Sequence, residues 1–482
     1  MKQIDSGKSV KINIILNALK TMASIIFPLI TFPYVSRILQ AENIGKVQFA
    51  ASIISYFSLL ASLGISMYAI REGSAIRDDK EKLEKFCSQI FSFNVLSTIV
   101  AYIGIIILLI FMKREAEYKY LIIIQSMTIV FTTLGVDWIN SIFEDFKYIT
   151  IRSILIQFLT LILTFIFIRS SNDYYSYAII SVISSVGANI LNIFYVRKYC
   201  KIKLTTNIEF KKHFKPIILL FSNYIASTIY KDADITMLGA MCGEYNVGIY
   251  YVAVKTYNII KQLLNSIVAV IIPRISNYEA NNQSNEKNYL LDQVLRIIIL
   301  FTFPIITGLI MLKEQIILII AGESYMDAVV PFIILSVSLF FAVLANFTSN
   351  MILIVHKKEK ISLISTIIAA TTNFILNIIL IPVLKETGAA ITTLIAEMLV
   401  ALITGYHAYK YYKPQKMLRT ILAVLVGCSF IVIIITFIRN LNLTNIFEVI
   451  ISVFLSIIGY FVCIFLIDKK NFISIIRSNE NK

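Results

Sequence analysis

The stretch Pro28–Gly64, PLITFPYVSRILQAENIGKVQFAASIISYFSLLASLG, decides the fold. It reads as an apolar helix that ends near Tyr34, a short polar loop, and a second apolar helix that opens at Gly45. Arg37 lies where the first helix would leave the hydrocarbon of a membrane, which is typical of an interfacial anchor. The stretch therefore predicts a hairpin of two membrane-spanning helices.

The composition supports the same interpretation for the whole chain. Of its 482 residues, 58% are hydrophobic and 15% are charged, and the mean hydropathy is +0.79. A soluble protein of this length has too little interior to bury so much apolar surface. Apolar runs of about 20 residues, the length that crosses a ~30 Å hydrocarbon core as a helix, recur throughout. We therefore predict an all-α polytopic membrane protein.

The apolar runs predict about fourteen transmembrane helices. They are residues 11–34, 45–67, 88–112, 120–141, 150–168, 175–196, 216–240, 248–272, 294–312, 328–355, 361–382, 389–410, 420–438 and 446–467. When basic residues within three positions of a span end are counted with the adjoining segment, one side of these spans holds 31 Lys and Arg, against 9 on the other side. Because basic loops stay in the cytoplasm, both termini of this multi-pass membrane protein are predicted to be cytoplasmic.

The positive net charge and the cysteines are both expected in a membrane protein of this kind. The net charge of +15 comes from the short loops between spans, so no nucleic-acid partner is predicted. The five cysteines show no CxxC spacing and lie in or beside apolar runs, so no metal site is predicted.

The opening hairpin recurs later in the chain. A shift of 203 positions aligns residues 15–60 with the seventh and eighth predicted spans and gives nine identities. Asn43 then meets Asn246, and Gly45 meets Gly248, so we expect an Asn-x-Gly turn between helices in both copies. Six spans separate the copies, an even number, which predicts a parallel repeat with the substrate path between two lobes.

The repeat also predicts the organisation of the chain. Residues 1–200 form an N-lobe of spans 1–6, and residues 201–415 form a C-lobe of spans 7–12. Residues 416–482 add two transmembrane helices and a cytoplasmic tail. The fold class predicted is thus two pseudo-symmetric six-helix lobes around a central cavity, plus two C-terminal helices.

Three predicted spans carry polar residues at helical spacing, which a lipid-facing helix has no reason to do. They are Asn13, Asn17, Lys20, Ser24 and Thr31 in the first span, Asn223, Ser227, Lys231 and Asp234 in the seventh, and Tyr251, Lys255, Asn258, Gln262 and Asn265 in the eighth. A charge at the centre of a membrane helix costs at least ~2.5–3.5 kcal/mol. The candidate substrate-binding residues are Lys20, Lys231, Lys255, Lys261, Asn223, Asn258 and Gln262.

Two interpretations of these charges stay open. In the first, Lys255 and Asp234 neutralise each other and lock the hairpin of spans 7 and 8. In the second, the lysines form a cationic cavity that attracts an anionic headgroup. Asp232 and Asp234 are candidate H⁺ or Na⁺ sites, because burial favours the protonated form of a carboxyl group. Glu397, in the twelfth span, shows no evident partner, and we predict either an ion-coupling site or an interhelical hydrogen bond there.

Several stretches resemble the Wzx-type flippases of bacterial polysaccharide assembly, in the multidrug/oligosaccharidyl-lipid/polysaccharide exporter superfamily. The stretches are PLITFPYVSRIL, ENIGKVQFAASIISYFSLLASLGISMYAIREG, GVDWINSIFEDFKYITIRS, IYKDADITMLG with YNVGIYYVAVK, and NFILNIILIPVLKETGAAITTLIAE. They cover spans 1–2, 4–5, 7–8 and 11–12, so the resemblance runs through most of the chain. This sequence departs from the resemblance in one respect. The cavity face of the first lobe, with Ser52 and Ser55, carries less charge than a symmetric site would.

The resemblance implies two six-helix lobes around a cavity and transport of an undecaprenyl-pyrophosphate-linked oligosaccharide from the inner to the outer leaflet. The product would serve surface polysaccharide (capsule or O-antigen) biosynthesis. It also implies that cationic cavity residues hold the pyrophosphate and that an H⁺ or Na⁺ gradient drives alternating access. No other cofactor is expected. The expected partners are the lipid-linked oligosaccharide, membrane lipids and, by contact, a polysaccharide polymerase.

Other functions compete with this one. A lipid II flippase would share the composition, whereas a multidrug or cation antiporter would favour acids over lysines in its cavity. A polysaccharide polymerase would want a large outer loop, which the sequence lacks. An O-acyltransferase would want an intramembrane histidine, but His213, His356 and His407 lie at predicted inner helix ends. We therefore expect a transporter and not an enzyme.

Overall fold

The computed structural model describes residues 6–112, 116–441 and 443–477. Within these ranges some side chains are not described, namely those of residues 6–11, 13–15, 219–220, 222–227, 229–231, 267, 269–270 and 470–477. The described backbone is almost entirely helical and contains no strand. The predicted all-α class is confirmed.

Fifteen α-helices form the described part of the chain. They are α1 (Ser6–Ser62), α2 (Ile65–Ala75), α3 (Lys80–Phe111), α4 (Ala116–Gly135), α5 (Trp138–Ile142), α6 (Phe146–Phe167), α7 (Tyr174–Tyr195), α8 (Phe210–Met241), α9 (Glu244–Ala280), α10 (Ser284–Met311), α11 (Lys313–Ile320), α12 (Val329–Asn346), α13 (Glu359–Ala408), α14 (Leu418–Arg439) and α15 (Asn445–Arg477). A π-helical turn, Phe347–Leu353, continues α12.

The number of membrane crossings is only partly defined by helix length and composition. In the described residues nine helices are long and apolar enough to span, or ten if a bent pair in α9 is one span. Two of these, of 60 and 50 residues, would be about 90 and 75 Å long if straight, far beyond a ~30 Å hydrocarbon core. The first, Leu16–Ala75, contains positive-φ residues at Gln40 (66°), Leu63 (44°) and Gly64 (71°), and the second, Glu359–Ala408, contains one at Lys385 (50°). The count of fourteen stays a prediction.

The opening hairpin differs from its prediction. The predicted loop over residues 35–44 is wrong, because α1 continues through Pro33 and only Gln40 (φ 66°, ψ 172°) leaves helical geometry. Proline removes one backbone hydrogen bond from a helix, but packing can outweigh that loss. Val35 and Leu39, which follow Pro33, are 1% and 0% exposed. Burial of these side chains therefore extends the helix to the break.

The repeat of 203 positions is visible in the backbone. Gln40 corresponds to Gly243, which also has a positive φ, of 88°, and separates α8 from α9. The predicted Asn-x-Gly turns are misplaced by a few residues. Asn43 and Gly45 lie inside α1 after its break, and Asn246 and Gly248 lie inside α9. The turn is made by the residue at the break, not by the Asn-x-Gly sequence.

The two repeated glycines have a packing role instead. A Cβ atom added to Gly45 would lie 1.8 Å from the carbonyl oxygen of Glu244. A Cβ added to Gly248 would lie 1.9 Å from the carbonyl oxygen of Ala41. Ala41 corresponds to Glu244 under the same shift, so the contact is reciprocal, as across a two-fold axis. Only glycine allows the helical segments that begin after Gln40 and after Gly243 to pack with their backbones in direct contact.

The chain divides into two compact units, residues 1–248 and 249–482. The division falls inside α9 and not near residue 200, because α8 packs against α1. In that contact the Thr236 hydroxyl donates a hydrogen bond to Ser52 Oγ over 2.9 Å. The predicted lobes and the central cavity between them stay predictions.

An extended segment, residues 201–209, follows the surface of α3; we call it the linker segment. Its alternate backbone N–H groups donate to side chains of α3. The three bonds run from residue 201 to Glu84 Oε1 (3.2 Å), from residue 203 to Ser88 Oγ (3.1 Å), and from residue 205 to Ser92 Oγ (2.8 Å). At its end Lys85 and Lys212 lower the pKa of Glu209 to about 2, so this carboxylate stays ionised. The segment is thus fastened to the first unit.

Candidate functional site

The first unit contains a polar cavity of about 300 Å³ between α1, α6 and α7. Its polar lining includes Asn17, Lys20, Ser24, Asp137, Arg152 and Gln157. Lys20, Asn17 and Ser24 come from the polar face predicted for the first span, so part of that face lines the cavity. Among the described side chains, the Lys20 ammonium group forms no ion pair.

Arg152 is the most deeply buried cation of this cavity, with 3% of its surface exposed. One guanidinium nitrogen donates to Asp137 Oδ1, and another donates to the Ala188 carbonyl oxygen over 3.3 Å. The guanidinium carbon lies 5.1 Å from the centre of the Tyr148 ring, a cation–π contact. The burial and the three contacts hold the guanidinium group in one place.

Asp137 is fixed by a second layer of hydrogen bonds. It follows Val136, whose φ of 40° ends α4 and separates it from α5. Asn140 Nδ2 lies 3.3 Å from Asp137 Oδ1 and 2.6 Å from Asn192 Oδ1. Asn192 in turn donates to the Gly135 carbonyl oxygen over 2.5 Å. These amides connect α5 with α7 behind the Arg152–Asp137 pair.

The sequence patterns do not single out Arg152 or Asp137. Arg152 lies just inside the predicted span 150–168, where a basic residue is easily taken for part of a cytoplasmic loop. Asp137 lies near the end of the predicted span 120–141, on the same side of the membrane. The pair could have been predicted from one feature of the sequence. Two opposite charges lie 15 residues apart, at the adjoining ends of two neighbouring predicted spans.

In the second unit, Lys261 and Glu397 form an ion pair between α9 and α13. Lys261 Nζ lies 2.5 Å from Glu397 Oε1, and the Tyr257 hydroxyl donates to the same oxygen over 2.8 Å. Glu397 is only 4% exposed. The sequence shows no evident partner for Glu397, because the pairing joins residues 136 positions apart that hydropathy cannot connect. The structure gives this carboxylate an interhelical hydrogen bond, which is one of its two predicted roles. Its role in ion coupling stays a prediction.

The other candidate substrate-binding residues of α9 are Lys255, Asn258 and Gln262, which belong to its predicted polar face. Lys255 is half-buried, and its ammonium nitrogen lies 5.4 Å from the centre of the Tyr251 ring. Asn258 and Gln262 are exposed. Their exposure leaves both amides accessible to a polar molecule that approaches this face of α9.

The remaining predicted residues belong to α8. Asp234 is 5% exposed and Asp232 is half-buried. The Asp232 carbonyl oxygen accepts a hydrogen bond from Thr236, which also contacts Ser52. The side chains of Asn223 and Lys231 lie outside the described residues. Lys255 and Asp234 belong to different units, so their pairing stays a prediction.

Comparison with known proteins gives three kinds of match. Residues 10–279 match the model of a family described as "Polysaccharide biosynthesis protein". A protein of Escherichia coli (strain K12), described as "Putative O-antigen transporter", is 27% identical over 362 residues, 73% of this chain and 85% of its own length. A protein of Shigella dysenteriae with the same description is 26% identical over 323 residues, 65% and 78% of the two chains.

Two solved structures share the fold. One is described as "Lipid II flippase MurJ, inward closed conformation", with a TM-score of 0.75, 21% identity, and coverage of 94% of this chain and 98% of the other. A second is described as an inward-facing multidrug resistance MATE family transporter of the MOP superfamily, with a TM-score of 0.55 and 15% identity, over 83% and 97%.

The family match extends from the first unit into α9 and covers more than half of the chain. It contains the repeated hairpins, the polar cavity of α1, α6 and α7, and both positive-φ breaks of the repeat. The predicted resemblance to Wzx-type flippases is confirmed, and the multi-pass membrane character with it. The chain belongs to the polysaccharide biosynthesis protein family.

Proposed function

We propose that the protein transfers undecaprenyl-pyrophosphate-linked oligosaccharide repeat units from the cytoplasmic to the outer leaflet of the bacterial plasma membrane. The observation that carries the proposal is the polar cavity of the first unit, which contains Lys20 and Arg152 against a single carboxylate, Asp137. Cations inside apolar helices are costly unless they meet an anion. A pyrophosphate with attached sugars is such an anion, and its lipid tail can remain in the bilayer.

The proteins similar to this chain support this proposal. Two proteins described as O-antigen transporters align with most of the chain, and the family is named for polysaccharide biosynthesis. A cation antiporter would need the opposite charge in its cavities. A lipid II flippase is a closer alternative, and the sugar attached to the pyrophosphate distinguishes the two. Both alternatives are transporters, so an enzymatic role is not proposed.

The energy source and the topology belong to the same proposal. We infer that both termini are cytoplasmic and that an H⁺ or Na⁺ gradient drives alternating access, with Asp232 and Asp234 of α8 as candidate ion sites. Asp234 is almost fully buried, and burial of a carboxylate favours binding of a proton or a cation. Contact with a polysaccharide polymerase would deliver the transferred units directly.

Neutralising the candidate substrate-binding lysines is expected to reduce export. Lys20→Gln removes a charge of the cavity in the first unit, and Lys255→Gln removes one from the polar face of α9. The loss of one charge-assisted contact to an anionic substrate corresponds to a loss of about tenfold or more. The measurement is the amount of surface polysaccharide in a strain that lacks the chromosomal gene and carries each variant. Protein level in the membrane is measured in the same cells.

Lys147→Gln is the matched control for these variants. Lys147 lies in the first turn of α6, is exposed, and lines no described cavity. It should leave export unchanged, which separates a local effect from the loss of a positive charge near the membrane. Normal surface polysaccharide in both the Lys20 and the Lys255 variants, at normal protein levels, would contradict the assignment of these two lysines to substrate binding.

Ion coupling is tested in vesicles. Purified protein is reconstituted with a fluorescent polyprenyl-pyrophosphate oligosaccharide, and transfer is followed as the fraction protected from an external quencher. An imposed H⁺ or Na⁺ gradient should accelerate transfer by the wild-type protein and should have no effect on Asp234→Asn. Equal acceleration of the variant would show that Asp234 is not the coupling group.

A further inference from the structure

One histidine of the second unit lies between two side chains of opposite charge. His356 belongs to residues 354–358, which join the π-helical turn to α13 and which we call the α12–α13 connection. Its Nε2 atom lies 3.2 Å from Nζ of Lys287, in the first turn of α10, and 3.4 Å from Oε1 of Glu279, in the last turn of α9. Lys287 Nζ also lies 2.7 Å from Glu279 Oε2. A single ring nitrogen therefore faces both an ammonium group and a carboxylate.

The other ring nitrogen fixes the tautomer of the neutral imidazole. His356 Nδ1 lies 2.7 Å from the carbonyl oxygen of Ile352. A carbonyl oxygen can only accept a hydrogen bond, so Nδ1 carries the proton. Nε2 of the neutral ring is then an acceptor, and Lys287 Nζ is the neighbour that can donate to it. The Glu279 carboxylate cannot, because it is an acceptor as well.

A proton added to Nε2 reverses this choice of partner. Both ring nitrogens of an imidazolium are donors, and the ring carries a positive charge. The contact with Lys287 then joins two cations, whereas the contact with Glu279 becomes a charge-assisted hydrogen bond. Lys287 is only 5% exposed, so solvent screens this repulsion weakly. A hydrogen bond from Lys287 holds the pKa of the Glu279 carboxyl below its ordinary value, which keeps the carboxylate ionised near neutral pH.

The remaining titratable groups near His356 come from two segments. Tyr411, which follows α13, packs its ring on the imidazole, with 4.5 Å between the ring centres. Lys357 and Lys358 follow His356 in the α12–α13 connection, and Lys358 is exposed. Within the described part of the chain, neither lysine forms a hydrogen bond or an ion pair with the imidazole. The two charges at Nε2 therefore decide which partner it has.

The α12–α13 connection has an unusual backbone. The π-helical turn Phe347–Leu353 precedes it, and Lys357 has a φ of 58°, in the left-handed region. Both features are uncommon for such residues and persist where surrounding contacts hold them in place. His356 provides contacts of this kind, directly before the positive-φ residue. A change in its partner therefore acts on a part of the backbone that depends on side-chain contacts.

We propose that His356 is a pH-sensitive switch that determines which helix holds the α12–α13 connection. The neutral ring attaches the connection to the start of α10 through Lys287, and the protonated ring attaches it to the end of α9 through Glu279. Histidine suits this role because an ordinary imidazole changes charge near pH ~6.5. The compartment that sets the switch is the cytoplasm in the predicted topology. The inference concerns the second unit alone and does not depend on the transported molecule.

The test is magic-angle-spinning NMR of the full-length protein in lipid bilayers, with labelled histidine and glutamate, from about pH 5 to about pH 9. The nitrogen shifts distinguish the two neutral tautomers from the imidazolium. The chain contains three histidines, so the signals lost in His356→Gln assign this ring. At high pH the ring should be the Nδ1–H tautomer. At low pH it should be the cation, with its Nε2–H group correlated with the carboxyl carbon of Glu279.

Two substitutions should move the titration of His356 in opposite directions. Lys287→Met removes the neighbouring cation, so the ring should take up its proton about one pH unit higher, a tenfold gain in proton affinity. Glu279→Gln removes the carboxylate that would accept from the cation, so the proton should bind about one pH unit lower. Thermal unfolding checks that each variant keeps its fold.

His407→Gln is the matched control. His407 Nδ1 makes the same kind of contact, 2.9 Å from the Ile403 carbonyl oxygen, but no charged partner lies at its ring among the described side chains. This variant should leave the titration of His356 unchanged.

The wild-type spectrum alone can overturn the inference. A neutral His356 with its proton on Nε2, or a cation without the correlation to Glu279, would contradict the exchange of partners. Shifts of the same sign in Lys287→Met and Glu279→Gln, or no shift in either, would show that these charges do not control the ring. None of these results bears on transfer of the lipid-linked oligosaccharide in vesicles, which tests the proposed function separately.

Discussion

Substituting alanine for Gly45 or Gly248 is expected to destabilise the protein severely and to abolish export. The new Cβ atom would lie 1.8 Å from the Glu244 carbonyl oxygen in the first variant and 1.9 Å from that of Ala41 in the second. Both neighbours are backbone atoms, so no side chain can rotate away. Overpacking typically costs 1–3 kcal/mol, and we expect about 3 kcal/mol or more here, because two helices must separate. Thermal unfolding in detergent measures the loss.

Gly405→Ala is the matched control. Gly405 also lies inside a helix, α13, but a Cβ there has no atom within 4 Å among the described residues. Alanine stabilises an unobstructed helix by about 0.5–1 kcal/mol relative to glycine, so this variant should unfold at the same or a higher temperature. The double variant of Gly45 and Gly248 should cost less than the sum of the two, because both changes disrupt one contact. Strictly additive losses would show that the two glycines act separately.

Removing the positive charge of Lys261 is the change with the next largest expected effect. Lys261→Met would leave the Glu397 carboxylate, 4% exposed, with the Tyr257 hydroxyl as its only partner among the described side chains. Breaking a buried ion pair from one side costs about 3–5 kcal/mol, because the remaining charge is uncompensated. We expect a large fall in thermal stability and little protein in the membrane.

The double variant Lys261→Met with Glu397→Gln removes both charges of the pair and tests whether the unpaired carboxylate causes the loss of stability. The glutamine is neutral and can still accept from Tyr257, so most of the lost stability should return. Restored export by the double variant would assign Glu397 to interhelical bonding, whereas stable protein without export would assign it to ion coupling. A double variant as unstable as Lys261→Met would contradict the pairing itself. Gln262→Met, one position along the exposed face, controls for the new methionine in stability.

The sequence predicts the helices of this protein well and their contacts poorly. Hydropathy locates the apolar helical stretches because it depends on the composition of a local window. The helix through Pro33 is missed because the burial of Val35 and Leu39 comes from distant helices, which no local pattern contains. The prediction of a loop there used only the intrinsic cost of proline.

The same limit explains the candidate site. The polar face that contains Lys20 is predictable, since its residues repeat at helical spacing. The partners of the charges are not, because Arg152 meets Asp137 through a turn, and Lys261 meets Glu397 across 136 positions. Pairing is a property of the folded chain. Among the charges inside predicted spans, the sequence therefore identifies candidates but not which of them neutralise each other.

The linker segment and α3 advance by nearly equal distances from one hydrogen-bonded position to the next. Two residues of extended chain advance about 6.6 Å, and four residues of α-helix advance about 6 Å. Alternate amides of residues 201–205 can therefore meet every fourth side chain of α3, with a mismatch of only about 0.6 Å per step. An insertion of one residue in the segment would turn the other edge of the backbone toward Ser88 and Ser92. An insertion of two would present the same edge again, so within residues 201–205 these three hydrogen bonds tolerate insertions of two residues but not of one.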